Sequence, residues 1–181
     1  MSKNQGYTLV ELLVVLGVTA LLSGLLLIYS REGERVSIIM RTRAQVVSDI
    51  NWAKNLAITS QAWNGQKTCG YGVYFDVNNN RYIIFADLSS DCGSSTHIRG
   101  QADTEDVEII GVPQKFQKFN LFSSNVGQIF FLPPNPTIYF DDIPAENDPN
   151  RQQAEVVFTY LTEVSPAFEL YINPIGQIWA Y

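Results

Sequence analysis

The sequence predicts an α+β protein, with one long N-terminal helix packed on antiparallel β-sheet. Three observations predict it. The chain opens with an apolar run, Leu12 to Tyr29, of 18 residues without a formal charge. Apolar residues then recur at helical spacing, at Val36, Ile39, Val46, Ile50, Ala53 and Ala57. After Asn64-Gly65 the pattern changes to short aromatic and β-branched runs separated by Asn, Gly and Pro.

The apolar run is long enough to cross a bilayer at about 1.5 Å of rise per residue. The gaps in the stripe that follows place its members on one helix face. Arg43 is expected at the missing step, its stem buried and its head snorkelling into solvent. Trp52 and Leu56 are expected to widen the stripe. The spacing thus predicts one helix from about Thr8 to Ser60, with a weak point near Ser30 and Gly33. The amphipathic half is unstable alone, so the rest of the chain must cover it.

Gly70–Asp76 and Arg81–Asp87 read as the firmest hairpin, joined through Asn78-Asn79-Asn80, because Asn tolerates the left-handed backbone of a tight turn. Further strands are expected at Val107–Gly111, Phe116–Phe122, Gln128–Leu132, Thr137–Asp141, Ala154–Tyr160, Phe168–Asn173 and Gln177–Tyr181. Pro174-Ile175-Gly176 splits the last two as a second hairpin. Pro133, Pro134 and Pro136 suit a sheet edge or a rigid turn. The polar segment Asp141 to Gln153, with Pro144 and Pro149, is expected to be an exposed loop.

Little here supports catalysis. His97 is the only histidine, and no nucleophile stands in a matched pattern beside it, so a serine-type triad is not expected. The chain has no phosphate-cradling glycine loop and no His-x-x-x-His pair. Cys69, Cys92 and His97 lack zinc-finger spacing. Asp141, Asp142, Glu146 and Asp148 could offer oxygens to Ca²⁺, but without the glycine of an EF-hand a solvated acidic loop is the simpler reading. Asp76, Asn78 and Asn80 imitate the start of a calcium loop and are better explained by the turn. Asp87 and Asp91 are expected to solvate the end of their strand. No cofactor or metal is expected. A net charge of −6 gives no general attraction for nucleic acid.

The residue that resists a bland reading is Glu11. It lies at the start of the apolar segment, where a carboxylate costs roughly 2.5–3.5 kcal/mol on insertion scales. A signal peptide has a shorter apolar part and no acid near its start, and a plain membrane anchor explains the length but not the acid. Gly6-Tyr7-Thr8-Leu9-Val10-Glu11-Leu12-Leu13, after the short basic Met1-Ser2-Lys3-Asn4-Gln5, closely resembles the leader of type IV prepilins. The resemblance implies that a prepilin peptidase cuts between Gly6 and Tyr7 and methylates the new amine of Tyr7, where the family usually has Phe. Glu11 would then neutralise the terminal amine of a neighbouring subunit. The implied partners are that peptidase, other pilin or pseudopilin subunits, the inner-membrane assembly platform and the membrane itself, with no nucleic acid.

The implied organisation is a leader at 1–6, a transmembrane or filament-core helix at 7–29, an amphipathic continuation at 30–62 and an extracytoplasmic β-rich domain at 63–181. Charge bias alone points the other way. Arg31, Arg35, Arg41 and Arg43 follow the span against Lys3 before it, which would hold the β-rich part in the cytoplasm. The leader motif is the more specific signal and decides the orientation. An exported chain sits where disulfides persist. A Cys69–Cys92 bridge would close a loop of about 24 residues, worth roughly 3 kcal/mol; two buried thiols are the alternative.

A narrower resemblance rests on Ser48-Asp49-Ile50-Asn51-Trp52-Ala53-Lys54-Asn55-Leu56-Ala57-Ile58 and on the ending Ile172-Asn173-Pro174-Ile175-Gly176-Gln177-Ile178. Both look like the GspH/FimT group of minor pilins and pseudopilins, which implies a structural subunit of a type II secretion pseudopilus or a type IV pilus. The alternative function is an exposed binding module that captures DNA or another ligand. Some FimT-like proteins carry a basic Gly-Arg-x-Arg stretch for DNA; the matching Gly176-Gln177-Ile178-Trp179 lacks both arginines. Trp179 and Tyr181 are expected to belong to the core rather than to stack on bases.

Overall fold

The structure, a computed structural model, describes residues 8–93, 95–100, 106–111, 119–134, 137–160 and 166–181. It is an α+β arrangement: among the described residues, helix α1 (Leu9–Ile58) is followed by ten strands in two antiparallel sheets. The strands are β1 (Gly70–Asp76), β2 (Arg81–Asp87), β3 (Asp106–Gly111), β4 (Phe119–Ser124), β5 (Gln128–Leu132), β6 (Thr137–Phe140), β7 (Ile143–Pro144), β8 (Ala154–Tyr160), β9 (Pro166–Ile172) and β10 (Ile178–Ala180). The six-stranded sheet has the order β3-β2-β1-β5-β6-β7, and the four-stranded sheet β10-β9-β8-β4. The chain forms two compact units, Met1–Arg41 and Thr42–Tyr181.

Helix α1 is 50 residues long and runs without a break through Gly33, so the weak point expected there does not interrupt it. It ends in a Schellman motif. Ser60 adopts φ 48°, its N–H donates to Ala57 O at 2.9 Å, and Gln61 N–H reaches Leu56 O at 3.2 Å. Asn64 and Gly65, both at positive φ, then reverse the chain so that Trp63 and Gln66 exchange both backbone bonds.

Within the second unit, α1 buries Thr42, Val46, Asp49, Ile50, Ala53, Leu56 and Ala57. Two sequence expectations fail here. Thr42, not Arg43, takes the missing step, because the stripe is centred one position earlier and leaves Arg43 exposed. Trp52 does not widen the stripe; it is 39% exposed on the helix flank. Asp49 is the acidic member. Its carboxylate accepts Tyr82 Oη from β2 at 2.7 Å and Gln45 Nε2 at 2.7 Å. Lys54 Nζ donates to Gly176 O at 2.9 Å, tying the helix to the turn between β9 and β10.

The first hairpin forms as read. Asn80 takes φ 52°, and Asp76 holds the turn by accepting Asn79 N–H, Asn79 Nδ2 and Arg81 Nε. β1 and β2 are buried along nearly their whole length, which is why they read as continuous apolar runs rather than alternation. Gly72 is required there, since a Cβ would come within 2.5 Å of the Phe85 ring. Of the expected strand Phe116–Phe122, residues 116–118 lie outside the described residues, as does Pro136; Pro133-Pro134 form the turn between β5 and β6.

The segment Asp141 to Gln153 is not a plain exposed loop. It contains β7 and a 3-10 turn at Ala145–Asn147, and Ala145 and Asp148 are buried. Arg151 organises it, bonding Asp148 Oδ2 through Nε at 2.7 Å and Asp141 Oδ2 through Nη1. The other oxygen of Asp141 accepts the N–H groups of Gly127 and Gln128. Arg151 thus pairs two of the four acids that the sequence left to solvent, Asp141 and Asp148, while Asp142 and Glu146 are exposed as expected.

Two predictions follow from this packing. Tyr82→Phe removes the donor facing buried Asp49 and should cost about 1–3 kcal/mol, read as a lower urea midpoint of the full chain in detergent micelles. Desolvation works against ionisation of Asp76, but hydrogen bonds from Asn79 and Arg81 outweigh it and lower its pKa. The Asn150 N–H, then Arg151, lower that of Asp148. Groups with depressed native pKa bind fewer protons folded than unfolded, so their stabilisation is present above the unfolded pKa near 3.9. It is lost as pH falls below that value through the native one. The melting temperature should therefore drop on the acid side of about pH 4, with a shallower slope for Asp148→Asn.

Candidate functional site

Gly6 and Tyr7, the expected cleavage pair, lie outside the described residues. From Thr8 onward the geometry is explicit. Thr8 Oγ1 accepts the backbone N–H of Glu11 at 3.2 Å, and Thr8 O accepts that of Leu12 at 3.2 Å. Thr8 is therefore the N-cap of α1, and Glu11 is the third residue of its first turn. Thr-x-x-Glu is also the sequence signature of a capping box, a signal overlooked in reading Glu11 only as a misplaced charge. An acid in the first turn further suits the positive end of the helix dipole. The cap engages the backbone of Glu11 and leaves its carboxylate as a candidate for an intermolecular contact. The cap needs only the backbone N–H of residue 11, whereas cancelling a positive charge needs a carboxylate.

Leu9–Leu26 is long and apolar enough to cross a membrane, with a mean hydropathy of 2.4 and none of it buried within the chain. Leu9, Val10, Leu12, Leu13, Leu21 and Leu25 are each more than half exposed. A continuous apolar surface of this size requires lipid or other helices to cover it.

The second unit contains a cluster that superficially has catalytic composition. Asp87 Oδ2 accepts Ser95 Oγ at 2.6 Å and faces His97 Nδ1 at 3.1 Å, and Ser89 Oγ lies 3.1 Å from Ser95 Oγ. The order is wrong for nucleophile activation, because Ser95 and His97 converge on the same carboxylate oxygen instead of Ser95 bonding the imidazole. His97 is 6% exposed, stacked on Phe130 at 4.8 Å and edge-on to Tyr139 at 4.9 Å. Its carbonyl accepts Gln128 Nε2 at 2.9 Å, and its φ is 55°. The cluster fastens the segment after β2 onto β5 and β6.

Asp87 is accordingly not a solvated strand end. It is buried, and although desolvation opposes ionisation, hydrogen bonds from Ser89, Ser95 and His97 outweigh this and lower its pKa. The same segment is fixed covalently: Cys69 and Cys92 form a disulfide with Cα atoms 5.2 Å apart. Asp91 is exposed and accepts Gly93 N–H at 3.0 Å. Among the described residues, no group of three or more His, Cys, Asp or Glu side chains is placed to hold a metal.

The aromatic residues at the C-terminus depart from expectation. Tyr181 is 76% exposed and Trp179 half-buried, so neither belongs to the core. β10 is an edge strand, and its alternate positions point away from the packed side of the sheet.

Residues 1–27 match the family model described as the prokaryotic N-terminal methylation motif. No curated protein and no solved structure matches the chain. The matched segment is the one that carries the Thr8 cap, Glu11 and the uncovered apolar span, and this protein is accordingly type IV prepilin-like in its N-terminal segment.

Proposed function

We propose that this protein is a structural minor pilin or pseudopilin, a subunit of a type II secretion pseudopilus or a type IV pilus rather than an enzyme. One observation carries the reading: an acid in the first turn of an apolar helix that the protein leaves uncovered, within the matched methylation motif. In this reading prepilin peptidase cuts between Gly6 and Tyr7 and methylates Tyr7. The subunit is then held in the inner membrane by α1, with the β-rich unit extracytoplasmic, and passes through the assembly platform into the filament.

In the filament, adjacent α1 helices bury each other's apolar faces. The Tyr7 amine of one subunit meets the Glu11 carboxylate of the next. Neither charge is tolerable alone in that environment, because stranding one member of a buried pair costs about 3–5 kcal/mol. The pair therefore selects the axial register of neighbouring helices, while the apolar contacts supply most of the cohesion.

The capping geometry defines the test. Glu11→Gln keeps the polarity and length of the side chain and removes the counter-charge, Glu11→Ala removes the side chain beyond Cβ, and both keep the backbone N–H that Thr8 Oγ1 accepts. Both variants should insert in the membrane as the wild type does. Both should fall at least about tenfold in the sheared filament fraction, as loss of a buried partner requires. Wild-type incorporation of Glu11→Gln would show that the charge is not needed and overturn the pairing.

A further inference from the structure

The outward face of the four-stranded sheet carries an aromatic and acidic surface that filament assembly through Glu11 does not use. The strand register defines it. On β9, Phe168, Leu170 and Ile172 are buried, so Glu169 and Tyr171 face outward. Tyr171 lies between Trp179 of β10 and Glu155 of β8. Two residues back along β9, Glu169 lies between Tyr181, which it meets through backbone bonds of 3.0 and 3.1 Å, and Val157. The face therefore presents Trp179–Tyr171–Glu155 in one row and Tyr181–Glu169 in the next, which ends at the buried Val157.

The rings form one group. Tyr171 and Trp179 have centroids 6.1 Å apart at 20°, and Tyr171 and Tyr181 have centroids 6.1 Å apart at 65°. Tyr171 Oη donates to Glu169 Oε2 at 2.5 Å. That bond, then desolvation and the charge of Glu155, raise the phenol pKa to about 12, so both carboxylates bear on this ring. None of the positions in these rows is Lys or Arg. Arg151 is held by Asp141 and Asp148, and Lys54 by the Gly176 carbonyl.

Aromatic faces and carboxylates attract the same ligand, a cation, and the carboxylates repel phosphate. The protein makes a related contact within its own fold, with Arg99 Cζ 5.5 Å from the Tyr74 ring centroid. We infer that Trp179, Tyr171 and Tyr181, with Glu155 and Glu169, form a docking site for an arginine-bearing segment of a partner protein. Guanidinium suits it better than ammonium. Its plane stacks on a ring while its N–H groups reach a carboxylate. Charge complementarity commits the face to a basic polypeptide over nucleic acid. The inference does not depend on Glu11 or on cleavage at Gly6.

The test titrates the full chain in detergent micelles with acetyl-Arg-Gly-Arg-Gly-Arg-amide, its citrulline counterpart and an oligothymidylate, reading affinity by calorimetry in every variant and, where Trp179 is present, location by the Trp179 indole N–H signal. The arginine peptide should shift that signal saturably and bind less tightly as salt rises. Citrulline replacement, the Glu155→Gln/Glu169→Gln pair and Trp179→Ala should each weaken binding by about fivefold or more. Trp179→Phe, which keeps a ring, should weaken it less and stands in if Trp179→Ala fails to fold. No saturable arginine binding, equal binding of the citrulline peptide, or preferential binding of the oligothymidylate would each overturn the inference.

Discussion

The constraint on which the structure depends is the placement of one carboxylate on an uncovered apolar helix. Glu11 lies in the first turn of a span whose own chain buries none of it. The helix can accept the acid locally, because Thr8 caps the first turn and the dipole favours negative charge there. Neither effect removes the cost of holding the ionised group in hydrocarbon. A positive partner does, and in the proposed function it is the α-amino group freed at Tyr7. In the filament proposed above, the surface that the chain leaves uncovered is the one that supplies cohesion.

Helix α1 solves two packing problems in one element. Its first part leaves its apolar residues for other molecules. From Thr42 onward the helix has an inward stripe that the sheets cover, pinned by Asp49 to Tyr82 and by Lys54 to Gly176. Charged and polar groups then fix the irregular segments. Asp76 closes the first hairpin, Arg151 gathers Asp141 and Asp148, and Asp87 gathers Ser89, Ser95 and His97 beside the disulfide. Asp76, Asp87 and Asp141 act where the chain leaves a strand, and Asp148 where it leaves the 3-10 turn.

The sequence made the regular parts legible because their signals are local. The β1–β2 hairpin follows from aromatic runs around an Asn turn, and α1 follows from its span and its helical spacing. The failures are non-local. That Thr42 rather than Arg43 faces inward depends on which helix face the sheets occupy. That Asp87 is buried depends on Ser95 and His97 folding back across it, which spacing does not encode. The acidic segment read as solvated because its cation, Arg151, lies ten residues from Asp141. The exposed aromatic face was missed because a strand-end Trp reads the same whether its sheet face is covered or open. Thr8-x-x-Glu11, by contrast, was a readable helix-start signal, eclipsed by the membrane cost of the same acid.

The central claim is that an amine made by cleavage at Tyr7 answers the carboxylate of Glu11. Intact mass and N-terminal sequencing of the membrane-purified mature protein test it most directly. The account predicts a chain that begins at Tyr7 with a methylated amine. Correctly localised, functional protein that still begins at Met1 would leave Glu11 without its counter-ion and contradict the account.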